Sequence, residues 1–374
     1  MMFDLQVPTG LTFGRGRLSE LGRVTARHGH TALIVTGRSA MRRTGTLDRT
    51  AEALKAAGVE PVVFEGVSPN PRSDETDAAI ALARRSGCDV VIGLGGASAL
   101  DAAKAVAVGF PYASVADLIG KTLEHRPDTL PMIAVPTTTG AGAEVTRGAI
   151  LVDVRRNFRS GIRGEDVSPR HAIVDPDLSA GLPGRVAVES AFDSLAHAVE
   201  GYLARKANPV TDLLCEKVIR TVGEHIISVA DGIADPVAHE ALCLAGLLGG
   251  MSVANASTCL PHRMQQAMGV RPDGGTPPHA RGLAILYPAW VELVQDARPE
   301  RSAHIASWVA STDLTSYFGQ LLPRIGMATS LGDWAYTRQD ISQFMAGISG
   351  NVDNDPLGQF GDDIVRTIYE KSLA

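Results

Sequence analysis

The chain has 374 residues, of which 45% are apolar and 20% charged, and its net charge is −6 at neutral pH. These values are typical of a globular protein with one large or two medium domains, and the acidic balance argues against nucleic-acid binding. The cysteines (Cys88, Cys215, Cys243 and Cys259) are scattered and form no CxxC pair. They argue against a disulfide scaffold and favour a cytoplasmic protein.

The first half of the chain alternates between β-rich runs and helical segments. Strands are expected at 31–37, 59–67, 88–96 and 131–140, and helices at 46–58, 73–87 and 97–109. Strands separated by helices of this length predict βαβ units and a parallel sheet. We therefore expect an α/β, Rossmann-like dinucleotide-binding domain over residues 1–180.

From about residue 181 the apolar residues follow a helical period, which predicts an all-α domain over residues 181–374. The stretch 241–261 carries no charged residue but contains Asn255, several Ser and Thr residues and paired glycines. These polar and small residues favour a buried helix over a membrane span. No association with a membrane is therefore expected.

Two glycine-rich loops follow predicted strands in the first domain. The first runs into a helix and comprises Gly93, Gly95, Gly96, Ala97, Ser98, Asp101 and Lys104. Glycines allow close backbone approach, and the helix start offers unpaired N–H groups and a positive dipole end, so a phosphate would fit here. On the glycines alone, a tight βα turn with Ser98 as the N-cap residue explains the segment equally well.

The second loop, at 134–146, contains Thr137, Thr138, Gly140 and Gly142. Hydroxyl groups and flexible backbone beside the first loop would suit phosphate or ribose oxygens. A polar turn between strands is the alternative. Three threonines and two glycines directly after a buried strand favour a binding function.

An ordered set of motifs spans nearly the whole chain: GLGGASALDAAK (93–104), PTTTGAGAEVT (136–146), PRHAIVDPDL (169–178), DSLAHAVEGY (193–202) and PHARGLAILYP (278–288). Together they resemble the iron-containing alcohol dehydrogenase family, whose related branches are maleylacetate reductases, dehydroquinate synthases and glycerol dehydrogenases. The resemblance implies a dehydroquinate synthase-like architecture with NAD(P) on the α/β domain. It also implies a divalent metal in the helical domain, hydride transfer between nicotinamide and a small alcohol or aldehyde, and a homodimer.

The same resemblance implies a metal-binding and catalytic set of Asp193, His197, His262 and His279. Asp193 and His197 lie four residues apart in a predicted helix, so both side chains share one face. One oxygen and three nitrogens suit Fe²⁺ or Zn²⁺. The alternative is a purely structural Asp–His pair with two unrelated histidines.

This chain departs from the family pattern at four places. Maleylacetate reductases usually have Asn where Asp193 stands, so the carboxylate favours a metal enzyme. His262 and His279 are 17 residues apart, slightly more than usual, and we expect a longer loop around 270–278 at the mouth of the site. Gln266 replaces a histidine that would relay a proton, and Arg159 replaces a common lysine near the cofactor.

Cofactor choice is indicated by the residues after the strand at 31–37. Gly37, Arg38 and Ser39 stand where an acidic residue would bind the ribose 2′-hydroxyl and repel a 2′-phosphate. A small residue next to arginine favours NADPH over NADH. The alternative is a helix start with solvated arginines.

Arginines near the motifs suggest an anionic substrate, such as an aldehyde that carries a carboxylate or phosphonate. They are Arg147, Arg159, Arg163, Arg263 and Arg271, each of which is equally well explained as a solvated surface residue. The leading hypothesis is a metal-dependent aldehyde reductase. The alternatives are a metal-free maleylacetate-type reductase, which Asp193 disfavours, a dehydroquinate synthase-like lyase, and a non-catalytic nucleotide-binding module.

Overall fold

The computed structural model describes residues 2–233, 235–269, 271, 275–358 and 361–374. The chain forms two compact units. The N-terminal unit is Gln6–Gly181, and the C-terminal unit is Leu182–Ala374, with which residues 2–5 are grouped.

The N-terminal unit is built on a six-stranded sheet. In spatial order its strands are β1 (Gly10–Phe13), β8 (His171–Val174), β5 (Met132–Pro136), β4 (Val90–Gly95), β2 (Thr31–Gly37) and β3 (Glu60–Val67). All neighbouring strands of this sheet are parallel, and every residue of β4 is buried. The predicted parallel α/β class is therefore confirmed, because central strands of such sheets are covered on both faces.

The helices of this unit lie in the connections between successive parallel strands. They are α1 (Leu21–Thr25), α2 (Ala40–Arg43), α3 (Thr46–Ala56), α4 (Ser73–Arg85) and α5 (Ala97–Gly109). Helix α5 is rich in alanine, and ten of its residues are buried. Small side chains on most of its surface let it pack closely on the sheet.

The order in which successive strands are added to the sheet reverses beside β2. The chain places β3 on one side of β2 and β4 on the other, so that Thr36 of β2 pairs with Glu65 of β3 and with Leu94 of β4. Ligands of open α/β sheets bind at such a switch point, outside the carboxyl ends of the strands. Gly37 and Gly95 end the two strands that flank it.

Four strands of the N-terminal unit were not anticipated from the sequence. Strands β1 and β8 have four residues each, too few to establish a periodic pattern. Strands β6 (Gly148–Asp153) and β7 (Phe158–Arg163) form an antiparallel hairpin outside the main sheet. Strand β6 alternates between buried and partly exposed residues, whereas three consecutive residues of β7, 160–162, are buried.

The C-terminal unit is helical, and its described residues contain no β-strand. Its helices are α6 (Gly184–Leu203), α7 (Pro209–Ala230), α8 (Pro236–Ala256), α9 (Leu260–Ala267), α10 (His279–Ala297), α11 (Pro299–Trp308), α12 (Leu314–Arg324), α13 (Ile341–Gly347) and α14 (Gly361–Lys371). Asn208 starts α7 with a capping box, followed by Pro209 at the first helical position. Asp235 and Asp313 are the N-cap residues of α8 and α12, and their side-chain oxygens accept backbone N–H groups.

Helix α8 is long and apolar enough to cross a membrane by length and composition, and half of its most apolar window is buried inside the protein. It packs against α6 and α7, as a core helix of a helical unit does. Asn255 of α8 donates its side-chain amide to the carbonyl of Met251 in the same helix.

Aromatic side chains form the centre of this unit. Phe192 contacts Tyr287 edge-on at 5.5 Å between ring centroids and lies 6.5 Å from Phe318. Trp290 is fully buried and donates its indole N–H to Asp355. This core packs α6 against α10. Helix α6 carries two candidate metal ligands, Asp193 and His197, and α10 begins with a third, His279.

Candidate metal centre and nucleotide loops

Helix α6 presents Asp193 and His197 on one face, one turn apart, as the spacing predicts. Both side chains are buried, with 8% and 7% of their surface exposed. His197 Nε2 lies 3.9 Å from Asp193 Oδ1, which is too long for a hydrogen bond. The two groups therefore approach each other without pairing.

Two further histidines converge on the same carboxylate oxygen. His262 of α9 places its Nε2 3.6 Å from Asp193 Oδ1, and His279, the first residue of α10, places its Nε2 3.4 Å from it. Ligand atoms of Asp193, His262 and His279 all lie within 4.8 Å of one another. The His197 ring stacks on the His262 ring at 4.6 Å. The structure thus brings all four sequence-predicted side chains together.

These separations are those of a metal coordination shell. Bonds of about 2.1 Å from one tetrahedral ion place two ligand atoms roughly 3.4 Å apart. Unpaired, buried atoms point the same way: within the described residues, Asp193 Oδ1 and His262 Nε2 have no hydrogen-bond partner. Leaving buried polar atoms unpaired costs stability, so the residues present fit a divalent cation that would satisfy them.

Glu200, which the sequence analysis did not select, orients one of these ligands. Its Oε1 accepts a hydrogen bond from His262 Nδ1 at 2.7 Å, and its Oε2 accepts one from the backbone N–H of Cys259 at 2.7 Å. Tyr287 also donates to Glu200 Oε1, at 3.2 Å. Because Glu200 holds a proton on Nδ1, the neutral imidazole of His262 would offer its Nε2 lone pair on the side of Asp193, which is the arrangement that metal-bound histidines need.

Opposing effects set the protonation of the cluster. Burial would raise the pKa of Asp193, but the imidazoles of His197 and His279 outweigh it and hold that pKa well below its usual range. Burial lowers the pKa of His197 to about 4. Burial would also lower the pKa of His262, but Glu200 overrides it and raises the pKa to about 9.

Gln266 and the loop before His279 complete this region. No described side chain hydrogen-bonds to the Gln266 amide, whereas the neighbouring Gln265 accepts a hydrogen bond from His279 Nδ1 at 2.6 Å. Part of the segment in which we expected a lengthened loop, residues 270 and 272–274, lies outside the described residues. Among its described members, Arg271 donates to backbone carbonyls of Trp334 and Ala335 and stacks over Tyr336.

In the N-terminal unit, the two glycine-rich loops lie side by side. Gly95 pairs with Pro136 in the sheet register, and Thr137 donates its backbone N–H to Gly95. A Cβ on Gly96 would lie 3.3 Å from the Thr138 side chain. Gly95 has a φ of +144°, where a Cβ would also lie 2.9 Å from Ala99, so glycine is required at this approach. Gly142 also adopts a positive φ, of +59°.

Two residues of the first loop have roles that differ from the expectation. Ser98 is not the cap of α5, because Gly96 occupies the N-cap position and the Ser98 hydroxyl donates to the carbonyl of Pro69. The helix begins at Ala97, two residues too early for Ser98 to cap it. Asp101 accepts the backbone N–H of Ile150 at 2.9 Å and lies 3.6 Å from Lys104, so its carboxylate connects α5 to the hairpin.

Lys104 is fully buried below the loop and donates to Thr146 and to the Gly148 carbonyl. Burial lowers the pKa of Lys104, against the raising effect of Asp101 and Glu144. Burial raises the pKa of Glu144 to about 6. This buried charged group fixes the second loop and the hairpin to α5.

At the end of β2, Gly37, Arg38 and Ser39 lead into α2 without a side-chain cap. Arg38 donates to Ser68 at 3.1 Å and forms an ion pair of 3.4 Å with Glu75, while 71% of its side chain remains exposed. Arg42 pairs with Glu65. The guanidinium groups expected near the ribose are therefore present at this strand end, with acidic partners.

The remaining arginines differ in their surroundings. Arg147 donates to Gln6, and Arg263 donates to Ser257. Burial lowers the pKa of Arg159 to about 10, against the raising effect of Asp101, and burial also lowers the pKa of Arg163. Neither Arg159 nor Arg163 forms an ion pair within 4 Å among the described residues.

Comparison with known proteins places both units in one family. Residues 8–176 match the family model described as iron-containing alcohol dehydrogenase, and residues 187–372 match its C-terminal counterpart, described as Fe-containing alcohol dehydrogenase family. The chain is 32% identical to the 1,3-propanediol dehydrogenase of Klebsiella pneumoniae, over 82% of this chain and 79% of that protein.

Two other relatives differ in their nicotinamide cofactor. An NADPH-dependent butanol dehydrogenase of Clostridium saccharobutylicum is 29% identical, over 99% of this chain and 97% of that protein. The structure of a sulfoacetaldehyde reductase of Bifidobacterium kashiwanohense in complex with NAD⁺ is similar with a TM-score of 0.88 and 27% identity, over 100% of this chain and 99% of that one.

Proposed function

The chain belongs to the iron-containing alcohol dehydrogenase family and is therefore an NAD(P)-dependent oxidoreductase acting on CH–OH groups, and from this premise we propose a more specific function. We propose that it is a metal-dependent reductase of small anionic aldehydes that uses NADPH. The proposed metal ligands are Asp193, His197, His262 and His279.

The observation that carries the metal dependence is the set of buried atoms left without partners. Asp193 Oδ1 and His262 Nε2 are buried and unpaired, and the Nε2 atoms of His197, His262 and His279 lie 3.4–3.9 Å from Asp193 Oδ1. When bound, Fe²⁺ or Zn²⁺ would supply Lewis acidity that polarises the aldehyde oxygen during hydride transfer. The chain's own residues hold the site: Glu200 orients His262, and the Asp193 carboxylate stays ionised.

The proposed preference for NADPH is supported by the end of β2. No carboxylate is present at Gly37, Arg38 or Ser39 to accept the ribose hydroxyls. The Arg38 guanidinium is 71% exposed, and its contact to Glu75 is a long one of 3.4 Å, so it can exchange that partner for a 2′-phosphate. The other residues proposed to bind the cofactor are Gly95, Gly96, Ala97, Ser98, Asp101, Thr137, Thr138, Gly142 and Arg159.

The proposed anionic substrate is supported by one face of the β6–β7 hairpin. Arg159, Gly161 and Arg163 alternate along β7 and so share a face. A Cβ on Gly161 would lie 3.2 Å from Arg163 Cζ, so the Arg163 guanidinium lies over the glycine, on the side towards Arg159. Two guanidinium groups that form no ion pair within 4 Å in the described part of the chain favour a carboxylate, sulfonate or phosphonate.

Steady-state kinetics of the purified protein test this function. We expect oxidation of NADPH by succinic semialdehyde or phosphonoacetaldehyde with a higher kcat/KM than by butanal, and a lower activity with NADH. Arg163→Gln should reduce the preference for the anionic aldehyde and leave kcat/KM for butanal unchanged. Equal kcat/KM values for charged and neutral aldehydes in the native protein would refute the anionic substrate, and a preference for NADH in the native protein, or a preference for NADPH that survives in Arg38→Ala, would refute the proposed cofactor site.

A further inference from the structure

We propose that Gln265 is a positioning residue of the metal site, acting through His279; this inference rests on the metal dependence proposed above. Gln265 is 2% exposed, and its Oε1 accepts a hydrogen bond from His279 Nδ1 at 2.6 Å. Because an amide oxygen can only accept, Nδ1 carries the ring proton. The lone pair of His279 Nε2 then faces Asp193 Oδ1, 3.4 Å away.

His279 needs such an anchor more than the other ligands do. Its side chain is 34% exposed, against 4% for His262 and 7% for His197. It is the first residue of α10, where no preceding turn of helix restrains it. His262 obtains its orientation from Glu200, and Gln265 gives His279 the corresponding buried acceptor.

Gly282, one turn after His279 in α10, leaves the space that the Gln265 side chain occupies. A Cβ at position 282 would lie 2.8 Å from Gln265 Cγ and 3.1 Å from its Nε2. Real Cβ atoms do not approach so closely, so any side chain here would push the amide away from His279. Gly282 and Gln265 therefore act as a pair, and Gln266 takes no part in it.

Metal affinity of the full chain tests the proposal. Zn²⁺ affinity is measured by competition with a chromophoric chelator, and the geometry of the site by the visible spectrum of the Co²⁺-loaded protein. We expect Gln265→Leu to weaken Zn²⁺ binding by about 10- to 100-fold, as loss of an outer partner of a ligating histidine typically does. The Co²⁺ spectrum should change as well.

Two variants separate positioning from a general effect on the fold. Gln265→Glu retains an oxygen acceptor for His279 Nδ1 and should bind Zn²⁺ at least as tightly as the native chain. Gln266→Leu, the matched control one residue away, should leave the affinity unchanged. Native-like affinity of Gln265→Leu, or an equal loss in Gln266→Leu, would overturn the proposal. Failure of the native chain to bind Zn²⁺ or Co²⁺ would instead refute the metal dependence itself, and the proposal with it.

The role of Gly282 is tested by a double-mutant cycle. Gly282→Ala should weaken Zn²⁺ binding in the native background because its Cβ displaces Gln265. In a Gln265→Ala background the same change should have no further effect on affinity. Independent, additive losses would show that Gly282 does not act through Gln265.

Discussion

Replacing Glu200 by glutamine isolates the contribution of one buried charge to the candidate metal centre. Glu200 is fully buried and accepts three hydrogen bonds, from His262 Nδ1, Tyr287 and the Cys259 backbone. Glutamine has nearly the same shape but only one accepting oxygen. In either amide orientation, at least one of the donors therefore faces an NH₂ group.

Glu200→Gln should lower both the free energy of unfolding and the metal affinity. One buried donor left unpaired costs about 1–3 kcal/mol, so the metal-free variant should lose about that much free energy of unfolding. If the amide turns its NH₂ towards His262, Nδ1 must become the acceptor, and Nε2 then carries the proton and cannot bind a metal. Changes to such partners typically weaken metal binding by about 10- to 100-fold.

The assay combines chelator competition for Zn²⁺ with urea denaturation of the metal-free protein. Glu216→Gln, a change in an exposed ion pair on α7, serves as the control and should alter neither quantity. A Glu200→Gln protein that binds Zn²⁺ within a factor of two of the native chain would refute the orienting role of Glu200.

Three further predictions concern other parts of the molecule. Burial raises the pKa of Glu144 to about 6, so the folded state binds this proton more tightly than the unfolded state and stability falls as pH rises from about 4.5 to 6, by roughly 2 kcal/mol. Glu144→Gln should flatten that part of the pH profile of the denaturation midpoint. Phe192→Ala removes a fully buried ring and should reduce the free energy of unfolding by about 3–5 kcal/mol in urea denaturation. Gly95→Val forces a side chain at φ +144° against Ala99 and should abolish NADPH binding in fluorescence titration while the metal content stays unchanged.

The sequence predicts the elements whose signals are local. Four strands and the three longer helices of the first unit between residues 31 and 136 were expected within a few residues of their observed bounds, because apolar runs and glycines mark their ends. The four-residue helix α2 was not expected. Strands β1 and β8 were missed since four residues carry no period. The hairpin of β6 and β7 was missed because it pairs outside the main sheet.

The residues of the candidate metal site also differ in whether the sequence carries a local signal for them. The four ligands were chosen from motif resemblance, and the structure brings them together. Glu200 lies three residues after His197 on the same helix, so its position on the ligand-bearing face was available as a signal. Gln265 could not be found this way, because its contact with His279 joins α9 to α10 and depends on the space left by Gly282.

Metal dependence is tested by measuring the Fe and Zn content of the purified native chain and of His262→Ala by mass spectrometry. NADPH oxidation by an aldehyde is measured on the same two proteins. The account predicts close to one Fe or Zn per native chain, lost in the variant along with aldehyde reduction. A native chain that holds no metal, yet reduces aldehydes and is indifferent to chelators, would contradict it and favour a metal-free reductase of the maleylacetate type.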